Sequence, residues 1–110
     1  MENIELIAEL DMDEPSGMEK DLMAKEIYNG PMRRILDIRL QNGATLPRHK
    51  ANEPITVLCL AGKGIFHAGP DLEDAQEMNP GTLITLEPGI EHDLVADAAV
   101  HILVTRFKAN

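Results

Sequence analysis

The chain holds one cysteine, Cys59, no tryptophan, and only Tyr28, Phe66 and Phe107 as large aromatic residues. A lone cysteine cannot form an internal disulfide, and no charged-then-apolar leader opens the sequence, so the expected compartment is the reducing cytoplasm. So few aromatic platforms rank carbohydrate and nucleotide-sugar chemistry, including sugar epimerase activity, low. Bases are also short, with 10 Lys and Arg against 19 Asp and Glu, and the resulting net charge of −9 repels phosphate backbones and anionic membrane surfaces. Nucleic acid is therefore not an expected partner. The longest uncharged apolar run, "PITVLCLAG", falls far short of the ~20 residues a spanning helix needs, so no membrane partner is expected either.

A length of 110 residues suits a single domain large enough to fold without a metal or a disulfide. The acid excess is uneven: residues 1–26 carry nine acids and two bases, while the remaining 84 residues carry ten and eight. Residues 1–16 read as an acidic N-terminal arm, solvated and partly disordered, and residues 17–110 as the folded domain.

Gly and Pro punctuate that domain at short intervals, at Asn29-Gly30-Pro31, Asn42-Gly43, Gly62-Lys63-Gly64, Gly69-Pro70, Asn79-Pro80-Gly81 and Pro88-Gly89. The segments between them have the length of ordinary strands, which predicts an all-β sandwich or barrel. In "MRRILDIRL", Leu36, Ile38 and Leu40 share one face and Arg33, Asp37 and Arg39 lie mostly opposite, as in a half-buried strand. "TLITLE" and "VHILVTRF" are apolar on both faces, so an outer sheet face should be covered by a second copy of the chain in a homodimer. Over residues 18–28, Met18, Leu22 and Met23 follow helical spacing and Ser16 with Glu19 could form a capping box. An edge strand is preferred for the second half, because the turn at Asn29-Gly30-Pro31 would lead it into "MRRILDIRL" as an antiparallel neighbour.

Two stretches share a layout. "GATLPRHKANEPITVLCLAG" runs from Gly43 through His49 to Gly62, and "GTLITLEPGIEHDLV" runs from Gly81 through Pro88-Gly89 to His92 and Val95. They resemble the paired motifs of the cupin superfamily, whose fold is a small double-stranded β-helix, or jelly-roll barrel. Gly43, His49 and Gly62 match the first motif, with Ala51 at its second histidine and Ile55 at its glutamate. Gly81, Gly89 and His92 match the second, with Glu87 at its proline and Ala96 at its asparagine. The resemblance covers roughly residues 30–107 and is nearest to short, single-domain bacterial cupins that keep only the first and last of four metal-ligand positions.

In the intact pattern, alternate residues on a strand aim two histidines and a glutamate into the barrel, where a histidine from a facing strand joins them. Such a set suits iron, manganese, zinc or nickel. Here the resemblance places His49 and His92 at two ligand positions and apolar side chains at the other two, so a divalent metal would be held weakly. His67, His101 and Glu53 are the candidates for a third ligand, whereas alternation turns Glu91 and Asp93 outward from an inward His92. Ile55, Val57 and Cys59 share the inward register and, with Ala51 at the motif's second-histidine position, make an apolar pocket, with Cys59 read as a buried small hydrophobe rather than a nucleophile.

The expected function is binding of a small, largely apolar molecule in the barrel, with His49 and His92 as polar anchors or proton-transfer groups. Two alternatives stand beside it. One is a metal-dependent dioxygenase or isomerase using His49, His92 and a non-standard third ligand; the other is a non-catalytic dimeric module whose site has decayed.

Overall fold

Two long strands, both bent, organise the molecule. The computed structural model describes residues 3–108. It contains β1 (Leu22–Asn29), β2 (Arg33–Leu40), β3 (Thr45–His49), β4 (Ile55–Ala68), β5 (Asp74–Met78), β6 (Leu83–Leu86) and β7 (His92–Phe107). All pairings are antiparallel. β4 and β7 pair along most of their length, from Ile55 opposite Arg106 to Ala68 opposite His92. Register shifts at Cys59/Ala61 and Gly62/Gly64 bend the pair in the middle.

The bend makes one ladder serve two layers. The first half of β4 and the second half of β7 are flanked by β6 and by β2 with β1 at its edge. The second half of β4 and the first half of β7 are flanked by β5 and β3. Folding one layer over the other buries Ile38, Leu40, Val57, Ile102 and Val104 against Phe66, Met78 and Leu94. This is the jelly-roll arrangement expected from the spacing of Gly and Pro.

Residues 18–28 resolve in favour of the strand. β1 is an edge strand that runs through the turn at Asn29-Gly30-Pro31 into β2, with Leu22 opposite Leu40 and Asn29 opposite Arg34. Ahead of it, the Met18 N–H donates to Gln41 Oε1 at 3.0 Å, and no helix forms. Strand pairing along β2 satisfies the backbone that a short, isolated helix would have to satisfy alone.

The acidic arm is solvent-exposed along most of residues 3–14 and is tied to the barrel near its end. Pro15 is buried, Asp11 Oδ2 accepts from Arg39 at 3.1 Å, and the Asp13 carbonyl accepts from the His101 Nδ1–H at 3.0 Å. One of its acids, Asp11, pairs with Arg39 of β2, and the backbone of Asp13 reaches His101 of β7. Residues 1 and 2 of the arm lie outside the described residues. No helix among the described residues is long and apolar enough to cross a membrane.

Candidate binding cavity

β3 and β7 bring the two motif histidines together. His49 is the cross-strand partner of His92, and their ring centroids lie 4.2 Å apart with planes at 61°. A bulge makes this possible. Leu46 pairs with Leu94 and His49 with His92, so β3 spends three residues where β7 spends two. Pro47, which has no N–H to give to the ladder, sits inside that irregularity. Strict alternation would put Leu46 and His49 on opposite faces, whereas both line one cavity. The second motif is fastened to the first where the Gly89 N–H donates to the Ala51 carbonyl at 2.8 Å.

The cavity has a volume of about 80 Å³. Ile55 and Val57, alternate residues of β4, line it with the two histidines, and Ala51 lines it from the loop ahead of that strand. Cys59, from the same register, does not. Alternation fixes the face a residue points to but not its depth, and Cys59 sits in the closed part of the core, its thiol 3.5 Å from the Ala61 carbonyl. Burial pushes that thiol's pKa up, away from the thiolate a nucleophile or a metal ligand needs.

Both imidazoles are held in one tautomer. The Nδ1–H of His49 donates to the Pro47 carbonyl at 2.7 Å, and that of His92 to the Ile90 carbonyl at 2.9 Å. In the neutral ring this leaves the Nε2 lone pair as the acceptor for whatever enters the cavity. His92 is 2% exposed and stacks on Phe66, with centroids 5.6 Å apart. Burial pushes its pKa below the ordinary 6.5, and nearby His49 pushes in the same direction. His92 is thus a neutral acceptor at pH 7, seated against an aromatic ring, while His49 stands exposed beside it.

The three candidates for a third metal ligand are all engaged elsewhere. His101 alternates with the cavity-lining Ile102, so it faces outward from the barrel, where its Nε2–H donates to Asp37 Oδ1 at 2.9 Å. His67 alternates with Phe66 and pairs on the outside with Asp93 at 2.6 Å. Glu53 accepts from Arg106 at 2.9 Å, and that hydrogen bond holds its carboxyl below the usual range. Among the described residues no group of three His, Cys, Asp or Glu side chains is placed to hold a metal ion. The donor set therefore does not fit the three-histidine, one-carboxylate centre that the motif pattern implies.

Other cavity residues were not legible as such. Phe66 enters from the far half of β4, and Lys50 and Arg106 stand at the cavity with no acidic residue among its lining. The bends in β4 and β7 bring Arg106 to the same end of the barrel as His92, fourteen positions earlier on one strand. Only the "GKG" punctuation between the halves of β4 hints at such a fold-back.

No family model matches the chain, and no curated protein matches it. Among solved structures it is similar to a cupin superfamily protein of Desulfitobacterium hafniense, at 9% identity and a TM-score of 0.77, over 86% of this chain and 84% of that one. It is also similar to a conserved Streptococcus pyogenes protein of unknown function, at 22% identity and a TM-score of 0.77, over 98% and 93% of the two chains. A third likeness is to an RmlC-like cupin family protein with a double-stranded β-helix fold from Methanocaldococcus jannaschii, at 12% identity and a TM-score of 0.70, over 92% of each chain. These likenesses show the fold: the chain has the double-stranded β-helix of the cupins.

Proposed function

We propose that this cupin-fold protein binds a small, largely apolar molecule in the cavity, with His49 and His92 as its polar anchors. The observation that carries this reading is a pair of neighbouring imidazoles, each tied through Nδ1–H to its own backbone, at an otherwise apolar hollow. A ligand with an apolar body and one hydrogen-bond donor would bury the first and satisfy the second.

The test is an NMR screen of small organic fragments against the untagged chain. The amides of Ala51, Val57 and Phe66 are expected to shift together with a bound fragment, and His49→Ala and His92→Ala are each expected to remove the response. His49 is exposed, so its loss should change stability by less than about 0.5 kcal/mol. His92 is buried on Phe66, so its loss should cost about 1–2 kcal/mol besides. Fragments that move these amides equally in both variants would leave the histidines without the role assigned to them.

The two Nε2 lone pairs also favour a second reading, a weakly held divalent ion completed by water. Ala51 and Ile55 line the same cavity as the histidines, at the positions of the two missing ligands. The double variant Ala51→His/Ile55→Glu is therefore expected to bind Zn²⁺ or Mn²⁺ tightly and stoichiometrically, and the natural chain only weakly. Tight, stoichiometric metal in the untagged natural protein would reverse the order of the two readings.

Association is proposed as well. On the outer sheet face Leu83, Leu58 and Leu103 sit side by side across three strands, flanked by Thr85, Thr56 and Thr105. Leu83 is 63% exposed. In a chain of net charge −9, this uncharged row is where two copies can approach with the least repulsion, which favours a homodimer packed sheet to sheet. Sedimentation at micromolar concentration is expected to give a dimer, and Leu83→Glu a folded monomer. A wild-type monomer under those conditions would leave the face uncovered and refute the dimer.

A further inference from the structure

Within the binding role proposed above, on which this inference rests, we infer that Phe66 sets the length of the ligand: its ring closes the His49–His92 cavity against an apolar groove, between β5 and β6, that would otherwise continue it. The topology places that groove. β4 gives one edge to β7 along most of its length and the other edge to β6 and then to β5. Once β4 folds back at Gly62–Gly64, β6 and β5 therefore border the same side of the barrel in facing layers. Among the described residues neither pairs with the other, so the barrel is open between their free edges.

The cavity wall runs on into this opening. Cross-strand partners share a face of a sheet, and the partners of the cavity-lining Ile55 and Val57 are Leu86 and Ile84 of β6, which line the groove. On the facing layer the partners of Phe66 and Ala68 are Gln76 and Asp74, exposed residues that give the groove a polar rim. The groove is the larger space, at about 300 Å³ against about 80 Å³ for the cavity. Among the described residues Phe66 alone lines both. It is 3% exposed, and its ring stacks on His92 with the planes at 15°, so packing holds the partition in place.

A closed partition bounds the ligand. A volume of about 80 Å³ accommodates roughly six non-hydrogen atoms, at the ~12 Å³ each that a water-sized occupant needs. One polar atom on the histidines leaves room for about five carbons. A longer chain has to turn back toward the mouth beside the exposed His49, where further methylenes stay in water and gain nothing. The ligand class is thus a compact molecule with a short hydrocarbon body, and longer homologues are kept out by one side chain rather than by the strands of the barrel.

The experiment titrates the straight-chain alcohols from propanol to octanol into the full chain, by NMR of the cavity amides, with the amides of Ile84 and Leu86 reporting on the groove. In the natural chain Kd is expected to fall about fourfold with each methylene as far as pentanol, the gain of a buried CH₂, and then to stay within about twofold while the groove amides do not move. Phe66→Leu, which keeps the position apolar, should carry the fall on to longer alcohols, bind octanol at least about tenfold more tightly than the natural chain does, and let octanol shift the Ile84 and Leu86 amides. Adding Ile84→Thr should take that gain away and leave propanol and butanol binding as they were. Phe66→Ala should extend the series further; it removes more of the core, and Phe66→Leu decides the matter alone if the alanine variant does not fold. A natural chain whose Kd keeps falling as far as octanol, or a Phe66→Leu variant with the same cut-off, would overturn the inference and leave the binding role standing. Alcohols that move no cavity amide at any length would overturn both.

Discussion

Gly62→Ala is expected to cost about 3–5 kcal/mol, enough to lower Tm by some 15 °C or more in a domain of this size. Gly62 lies in the bend that turns β4 from one layer to the other, at φ +76°, a conformation that costs a residue with a Cβ about 1–2 kcal/mol. The larger cost is steric. A Cβ there would overlap the carbonyl oxygen of Ala99 and come within 2.9 Å of Val100 Cα, both backbone of the paired strand, which cannot swing aside as a side chain would. Gly43, Gly81 and Gly89 also have positive φ, but a Cβ at each would meet nothing within 4 Å. Alanine at any of those three should therefore cost only about 1 kcal/mol. Thermal melts of the four variants separate conformational strain from collision, and equal losses at all four would show that the bend does not depend on close approach at Gly62.

Asp37→Ala is expected to be comparably severe, at about 3–5 kcal/mol, and to free the N-terminal arm. Asp37 is 4% exposed and accepts from Arg39 Nε at 3.0 Å and His101 Nε2 at 2.9 Å. His101 is completely buried, with the Asp13 carbonyl at its other nitrogen. Both ring nitrogens thus face acceptors, and only an imidazolium donates from both. Removing the carboxylate leaves the buried His101 without its acceptor, while the partly exposed Arg39 keeps Asp11. Burial pushes the Asp37 pKa up, but the Arg39 and His101 hydrogen bonds and charges outweigh it and hold the carboxyl below its ordinary 3.8. A lowered pKa means that the unfolded chain binds the proton first. The group's stabilisation is therefore complete above pH 3.8 and drains away as the pH falls through its folded value. Chemical denaturation of Asp37→Ala should show the loss at pH 7 and a weaker acid dependence below pH 4. Replacing Asp37 and His101 together by leucine should restore much of the stability, because no buried charge is left unmatched. Undiminished stability in Asp37→Ala would mean that the cluster holds nothing together.

The legible parts of this fold are those written in local chemistry. Gly and Pro mark the strand ends because they act on their own backbone, and alternation in "MRRILDIRL" names the inward face because the pleat has period two. The placement of His49 and His92 at one mouth came instead from the resemblance of their two stretches to the paired cupin motifs. What escaped the sequence depends on contacts between distant residues. Asp37 and His101 are 64 positions apart, and their pairing follows from the register of β2 on β7, which no local pattern encodes. Arg106 reaches the cavity only because β7 bends, and the bulge at Pro47 reverses the parity that alternation alone would assign to His49. Cys59 was misplaced for the opposite reason, since a correct face was carried past the depth at which the cavity closes. The tethers of the acidic arm, Asp11 to Arg39 and the Asp13 carbonyl to His101, also join residues far apart in sequence.

The most direct test of the binding role is long-range ¹H–¹⁵N NMR of the His49 and His92 side chains at pH 7.5, in the free chain and at saturation with the tightest-binding fragment. Both rings are expected to show a protonated Nδ1 and a bare Nε2 in the free protein, and both Nε2 resonances should move on binding while the Nδ1 signals hold. An Nε2–H tautomer at either ring, or Nε2 resonances indifferent to a fragment that fills the cavity, would contradict it.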